Sequence, residues 1–248
     1  MQRYFVESLN MEQTHVYIKG EDVHHIVNVM RMVEGNKLIC VHPDEGTALC
    51  SILRIEGSEQ VLCKIEEWIT QEIELPVKVT VVQSLGKGDK VEQVVQKGTE
   101  LGADSFIPYQ ADRSIAKWDA KKSDKKIWRL EKIAKEASEQ SERTYIPEVK
   151  KLMKINEIVS LEGYDYKILA YEGEARNGHS ETIKIIFEKV QPGNSIIIAF
   201  GPEGGFSEKE VETFLQSGFQ AIRLGPRILR METAPLYFLS ALSYQLEE

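Results

Sequence analysis

The stretch that most constrains this chain is residues 195–234, SIIIAFGPEGGFSEKEVETFLQSGFQAIRLGPRILRMETA. It holds two short apolar runs, 196–200 and 221–224, and each is closed by Gly-Pro, at Gly201-Pro202 and Gly225-Pro226. A short apolar run stopped by Gly-Pro reads as a buried strand breaking into a tight loop. The two loops, separated by one helix, are expected side by side at one edge of a parallel sheet, where open α/β sheets bind their ligands. Gly201, Gly204 and Gly205 let backbone amides approach a ligand without side-chain obstruction. Ser207, with Glu210 three residues on, spells a capping box, so the first loop should end at a helix N-terminus. No GxxxxGK[ST] and no GxGxxG after a strand occurs, which removes the P-loop and Rossmann dinucleotide readings and weakens a Rossmann-type methyltransferase reading.

The rest of the chain divides into two patterns. Residues 1–72 read as short strands at 3–6, 15–18, 37–41, 48–55 and 60–65, with one helical segment at 21–32 that Asp22 could cap. Strands plus one helix suggest a small β-barrel. From 73 to 248 longer segments alternate, which means a parallel α/β sheet. Its strands are expected at 77–83, 105–109, 167–171, 196–200 and 221–224. Its helices are expected at 89–101, 125–141, 153–161, 181–190, 208–217 and 234–246. A hydrophobic content of 42% supplies a core, yet no apolar run approaches the ~20 residues that span a bilayer. The first residues lack a secretory signal pattern, so a soluble, cytoplasmic protein is expected. Cys40, Cys50 and Cys63 read as buried free thiols. The histidines form no zinc spacing, and no protein-bound metal is expected.

Net charge is -8, but between Lys117 and Lys135 eight basic residues face three acidic ones. Such asymmetry permits a local phosphate-binding face on an acidic protein, although a solvated helix face reads equally well. Trp118 and Trp128 are interleaved with these charges, as stacking platforms or as packing residues. Arg227, Arg230 and Glu232 sit in an otherwise apolar loop, which suggests anion or substrate contact, or a surface salt bridge. Tyr171 and Glu172 follow a third strand end.

The segments HHIVNVMRMVEGN (24–36), KGDKVEQVVQKGTELGADSFIPYQADRSIAKW (87–118), RLEKIAKEASEQSERTYIPEV (129–149), IAFGPEGGFSEKE (198–210) and LGPRILRMETAPLYFLSAL (224–242) resemble the RsmE family of small-subunit ribosomal RNA methyltransferases. These SPOUT-superfamily enzymes make 3-methyluridine with S-adenosylmethionine. The resemblance implies an N-terminal PUA-like, RNA-binding β-barrel (1–72). It implies a C-terminal SPOUT domain (73–248), α/β with a parallel sheet and a trefoil knot. It also implies a cytoplasmic homodimer acting on 16S ribosomal RNA or the 30S subunit, with no membrane and no metal. The cofactor site would comprise Leu169, Ala170, Tyr171 and Glu172; Phe200, Gly201, Pro202, Glu203, Gly204 and Gly205; and Leu224, Gly225, Ile228, Leu229 and Arg230.

Arg230 is the first candidate to stabilise a uridine anion, with Glu203 or Glu232 as an alternative carboxylate base. RNA contacts are expected from Arg3, Arg31, Lys87, Lys90 and Arg113, with Gln140 and Arg143 holding the target base. Two positions depart from the family pattern. Met231 stands where a small polar residue is usual, and Gly98 replaces a helical alanine at a cost of about 1 kcal/mol. A SPOUT enzyme for another RNA, or a non-catalytic ribosome-assembly factor, remain as alternatives.

Overall fold

A computed structural model of the chain describes residues 1–7, 14–70, 72–171 and 181–248, the side chains of 120, 121 and 181 excepted. The described chain forms two units: Met1–Glu74 with Ser138–Tyr145, and Leu75–Ala137 with Ile146–Glu248. Residues 138–145, placed by the sequence reading in the second domain, therefore cluster with the first.

The first unit is built on β1 (Arg3–Phe5), β2 (His15–Lys19), β3 (Lys37–His42), β4 (Gly46–Glu56) and β5 (Gln60–Ile69), ordered β1-β3-β4-β5-β2. β1 runs parallel to β3, and the other pairs are antiparallel. Alternation decides which side chains go inward: Val16 and Ile18 of β2 are buried between exposed neighbours. They join Tyr4, Leu38, Ile52, Val61 and the three cysteines in one core. Register shifts at Leu49/Cys50 and Ile52/Arg54 bend the long β4–β5 pair and curl the sheet. The helix expected over 21–32 is shorter. It comprises α1 (Glu21–His24) and a π-helical turn to Val29. It stops because Arg31 adopts φ 51°, a left-handed conformation that no helix can pass through. Gly20, not Asp22, occupies its N-cap position.

The second unit carries β6 (Lys78–Ser84), α2 (Lys90–Glu100), β7 (Ser105–Tyr109), α3 (Ala120–Gln140, whose last residues fall in the first unit), β8 (Glu148–Val149), α4 (Ile155–Val159) and β9 (Tyr166–Ala170). It continues with β10 (Glu181–Thr182), α5 (Ile183–Phe187), β11 (Ser195–Phe200), α6 (Glu208–Gln216), β12 (Gln220–Arg223) and α7 (Thr233–Glu247). The seven strands are ordered β10-β12-β9-β11-β6-β7-β8, and every described pair is parallel.

Helices cover both faces, which is why β11 reads as an uninterrupted apolar run. Its Ile196, Ile198 and Phe200 pack with residues of α2, α5 and α7. Its Ile197 and Ala199 pack with Ile158 of α4 and Val211 and Phe214 of α6. Burying each side chain of this size contributes about 1.5–3 kcal/mol. Gly98 has a reason here. A Cβ at that position would lie 2.9 Å from Cε1 of the buried Phe106, so glycine lets α2 close on β7.

The edge carrying the Gly-Pro loops differs from expectation in one respect. β11 and β12 are not neighbours, because β9 lies between them and bonds both. β12 in turn separates β9 from β10, although those two strands follow one another in sequence.

Candidate active site

Because β9, β11 and β12 are parallel neighbours, their carboxyl ends emerge together. The loops that follow them wall a cavity of 760 Å³, within the size range of small-molecule and cofactor sites. Ala170 and Tyr171 come from β9 and its end. Phe200 to Phe206 come from β11 and its loop. Ile222 to Gly225, Arg227 to Met231 and Ala234 come from β12, its loop and the start of α7. Lys90 and Arg113 complete the lining.

The β11 loop is held by hydrogen bonds at both ends. The Ser84 hydroxyl donates to the Phe200 carbonyl at 2.6 Å. Gly205 sits at φ 68°, which a side chain would strain. Ser207 then caps α6: Glu210 N–H donates to its Oγ at 3.2 Å, and Ser207 N–H donates to Glu210 Oε2 at 2.8 Å. Glu210 is buried and also accepts from the Tyr109 hydroxyl and from Asp112 N–H, tying the loop to the end of β7. Burial and the Glu210 carboxylate push the Tyr109 hydroxyl well above its ordinary value. Glycine also lets chain segments close around the cavity. A Cβ at Gly201 would lie 3.1 Å from the Phe206 ring, and one at Gly204 would lie 3.3 Å from Arg113 Cβ.

Charge at the cavity is organised by Lys90. Its ammonium lies 3.1 Å from Glu203 Oε1 and 3.5 Å from Glu232 Oε2, and so bridges both carboxylates named as candidate bases. Lys87 N–H adds a further bond to Glu203 at 3.3 Å. Partial burial pushes the Glu203 carboxyl up. Its own backbone N–H, the Lys90 ammonium and Lys87 N–H outweigh that and hold it below the ordinary carboxylate value. The hydrogen bond to Glu203 raises Lys90 in turn. A carboxylate held ionised in this way is a weak proton acceptor. Arg230 and Arg227 are exposed on the lining, and among the described residues neither guanidinium forms an ion pair.

The predicted cofactor residues converge with two exceptions. Leu169 is fully buried among core side chains behind the β9 wall and does not line the cavity. Glu172 lies outside the described residues. The RNA candidates scatter. Arg31, Lys87, Arg113 and Gln140 are exposed, and Lys90 is engaged as above. Arg3 and Arg143 are buried and bonded within the first unit rather than displayed on its surface. Arg143 donates to Glu74 Oε2 through Nη2 at 2.6 Å and Nε at 2.9 Å, and Arg3 donates to the Arg143 carbonyl at 3.3 Å. Burial pushes the Arg3 guanidinium down from its ordinary value.

Sequence reasoning missed Phe206, Ile222, Arg223, Met231 and Ala234 as lining. Each flanks a predicted loop segment by a residue or a few, so widening those segments would have found them. Met231 is buried, with Sδ 2.5 Å from where a Gly86 Cβ would stand, so its bulk is accommodated by a glycine. Among the described residues no cluster could hold a metal ion, and no helix is long and apolar enough to cross a membrane.

Comparison with known proteins is consistent along the whole chain. Residues 73–243 match the model of an RNA methyltransferase domain, and residues 18–66 match that of an RNA methyltransferase PUA domain. The ribosomal RNA small subunit methyltransferase E of Bacillus subtilis (strain 168) is 46% identical, over 100% of this chain and 98% of its own. The protein of that name from Neisseria gonorrhoeae, solved bound to S-adenosyl methionine, superposes with a TM-score of 0.85 at 27% identity, covering 98% and 97% of the two chains. A putative methyltransferase from Legionella pneumophila, solved with bound SAM, gives 0.85 at 29% identity, covering 98% and 96%. With its RNA methyltransferase and PUA segments and its full-length relatives, the chain belongs to the family of the ribosomal RNA small subunit methyltransferases E.

Proposed function

We propose that the protein methylates ring nitrogen 3 of a uridine in 16S ribosomal RNA, with S-adenosylmethionine as methyl donor. The observation that carries this reading is the convergence of three parallel strand ends on one 760 Å³ cavity, in a chain of this family. The lining suits the cofactor. Ala170, Leu224 and Leu229 offer an apolar wall, and Gly201, Gly204 and Gly225 present unobstructed backbone. Ala170–Tyr171, 200–205 and 224–230 would hold it, with Leu169 supporting from behind.

When bound, S-adenosylmethionine supplies an electrophilic methyl group. The chain must then make the uridine nitrogen nucleophilic, and that nitrogen carries a proton with an alkaline pKa. Arg230 is exposed on the cavity wall and stabilises the uridine anion left when the ring-nitrogen proton passes to solvent water, and that anion then takes the methyl group. Glu203, held ionised against Lys90, keeps the β11 loop in place.

Three further features belong to this reading. β12 lies between the successive strands β9 and β10, an arrangement that supports passage of the following chain through a trefoil knot. Tyr244 is 74% exposed on α7 and Ile228 is 76% exposed beside the cavity, which supports pairing of two copies into a homodimer. The first unit acts as the PUA-like RNA-binding module, and the enzyme works in the cytoplasm. Mass spectrometry of ribosomal RNA from cells lacking the protein tests the function. Loss of one 3-methyluridine from 16S RNA, restored by the wild-type gene, is the expected result. An unchanged 16S modification profile overturns it.

A further inference from the structure

α3 is amphipathic, and its two tryptophan neighbourhoods have separated. Leu130, Ala134 and Ala137 are buried on its inner side, and Trp118, just before the helix, packs partly buried against the same core. Trp128 does not. It is 57% exposed on the outer side, where so large an indole buries little and invites non-specific association. Its surroundings are basic. Lys132 Nζ stands 5.8 Å from the Trp128 ring centroid, within cation–π range. Lys125, one turn before, is exposed and, among the described residues, makes no ion pair. Asp124 and Glu131 flank the ring on the same helix, so the patch is basic but not purely so.

The patch is also connected to the cavity. Arg129 and Lys126 of α3 pair with Glu92 at 2.6 and 3.8 Å, in the first turn of α2. Lys90, two residues earlier in that turn, lines the cavity. One helical turn therefore holds the catalytic cavity and the Trp128 face together.

We propose that the outer face of α3 is an RNA-docking surface, on which an unpaired base of the substrate RNA stacks on Trp128 while adjoining phosphates meet Lys125 and Lys132. An aromatic face bracketed by ammonium groups is what single-stranded nucleic acid recognises, since every base has a π-face and each nucleotide carries a phosphate. An acidic protein, with a net charge of -8, needs such a local basic face to meet a polyanion. The proposal rests on the reading of the protein as an RNA methyltransferase and adds where the RNA beyond the target nucleotide is held.

The test compares wild type, Trp128→Ala, Trp128→Phe and the Lys125→Glu/Lys132→Glu double variant. Each is titrated with transcribed small-subunit ribosomal RNA and with 30S subunits, alongside calorimetry with S-adenosylmethionine and sedimentation. Trp128→Ala is expected to weaken RNA binding by roughly five- to a hundredfold and raise the KM for RNA. Trp128→Phe should retain most of the affinity, and the double charge variant should flatten the dependence on salt. Cofactor affinity and sedimentation mass should not change. RNA should shield the exposed indole of the wild type from acrylamide quenching. Unaltered RNA affinity in Trp128→Ala, while wild type methylates normally, overturns this proposal alone. A changed sedimentation mass in that variant makes the face a contact between copies and overturns it as well. Failure of the wild type to bind or methylate either RNA overturns the functional reading and this proposal with it.

Discussion

Arginine plays opposite parts in two regions of this molecule. In the first unit Arg3 and Arg143 are buried and committed: Arg143 grips Glu74 with two bonds, and Arg3 bonds the Arg143 carbonyl. At the cavity in the second unit, Arg227 and Arg230 are exposed on the wall without an ion pair among the described residues. A buried, bonded arginine holds strands and loops together. An arginine left facing a cavity does nothing for the empty fold, and its charge is available to a ligand. Lys90 lies between these extremes, its charge shared by two carboxylates that close the cavity loops onto α2.

The contrast can be broken by substitution. The largest effect is expected from Arg143→Ala, which empties a buried site and removes two charge-assisted bonds to Glu74 while the Thr144 bonds to that carboxylate remain; it should cost about 3 kcal/mol of stability. Calorimetric melting checks it, and an unchanged midpoint would erase the distinction between the two regions. Arg230→Ala should do the reverse. Methyl transfer falls by about 10²–10³-fold, as when one transition-state donor is removed, while melting stays within about 0.5 kcal/mol and cofactor affinity stays close to wild type. Turnover near the wild-type rate would remove Arg230 from the mechanism.

A smaller loss, about 1–3 kcal/mol, is expected for Gly98→Ala from overpacking against Phe106. Stabilisation instead would mean that helix propensity outweighs the 2.9 Å approach. The smallest effect is a pH dependence. In the folded protein Glu203 titrates below its ordinary 4.5, so the unfolded chain takes up that proton first as the pH falls. Its contribution is complete above the unfolded value and is lost as pH falls through the folded value. The melting gap between wild type and Glu203→Gln should be flat from neutrality down to the ordinary carboxylate range and shrink progressively as the pH falls below it. A gap independent of pH would mean that the pairing with Lys90 contributes nothing.

Most of the fold was legible because its signals are local. Alternation located β2, the capping box at Ser207 located α6, and the doubly buried run located β11. The two-residue strands β8 and β10 left no periodicity to read. The cavity loops were legible because glycine and proline mark strand ends. The insertion of β9 between β11 and β12 was not, since pairing between distant segments leaves no trace in either one. The fate of charges was the least legible. The charges of Arg3 and Lys90 were visible in the sequence, but not the carbonyl or carboxylates that folding brings to them. Arg143 followed the family motif and is likewise occupied by Glu74.

The position of β12 between two strands that precede it has a consequence for biogenesis. As the chain leaves the ribosome, β9, β10 and β11 are all available before the segment that forms the last cavity wall. That segment must enter among them late, and such non-local pairing is slow. A nascent or truncated chain that ends before β12 therefore lacks one wall of the cavity. With the cofactor held there as proposed, its binding becomes a property of the completed fold and of no shorter chain.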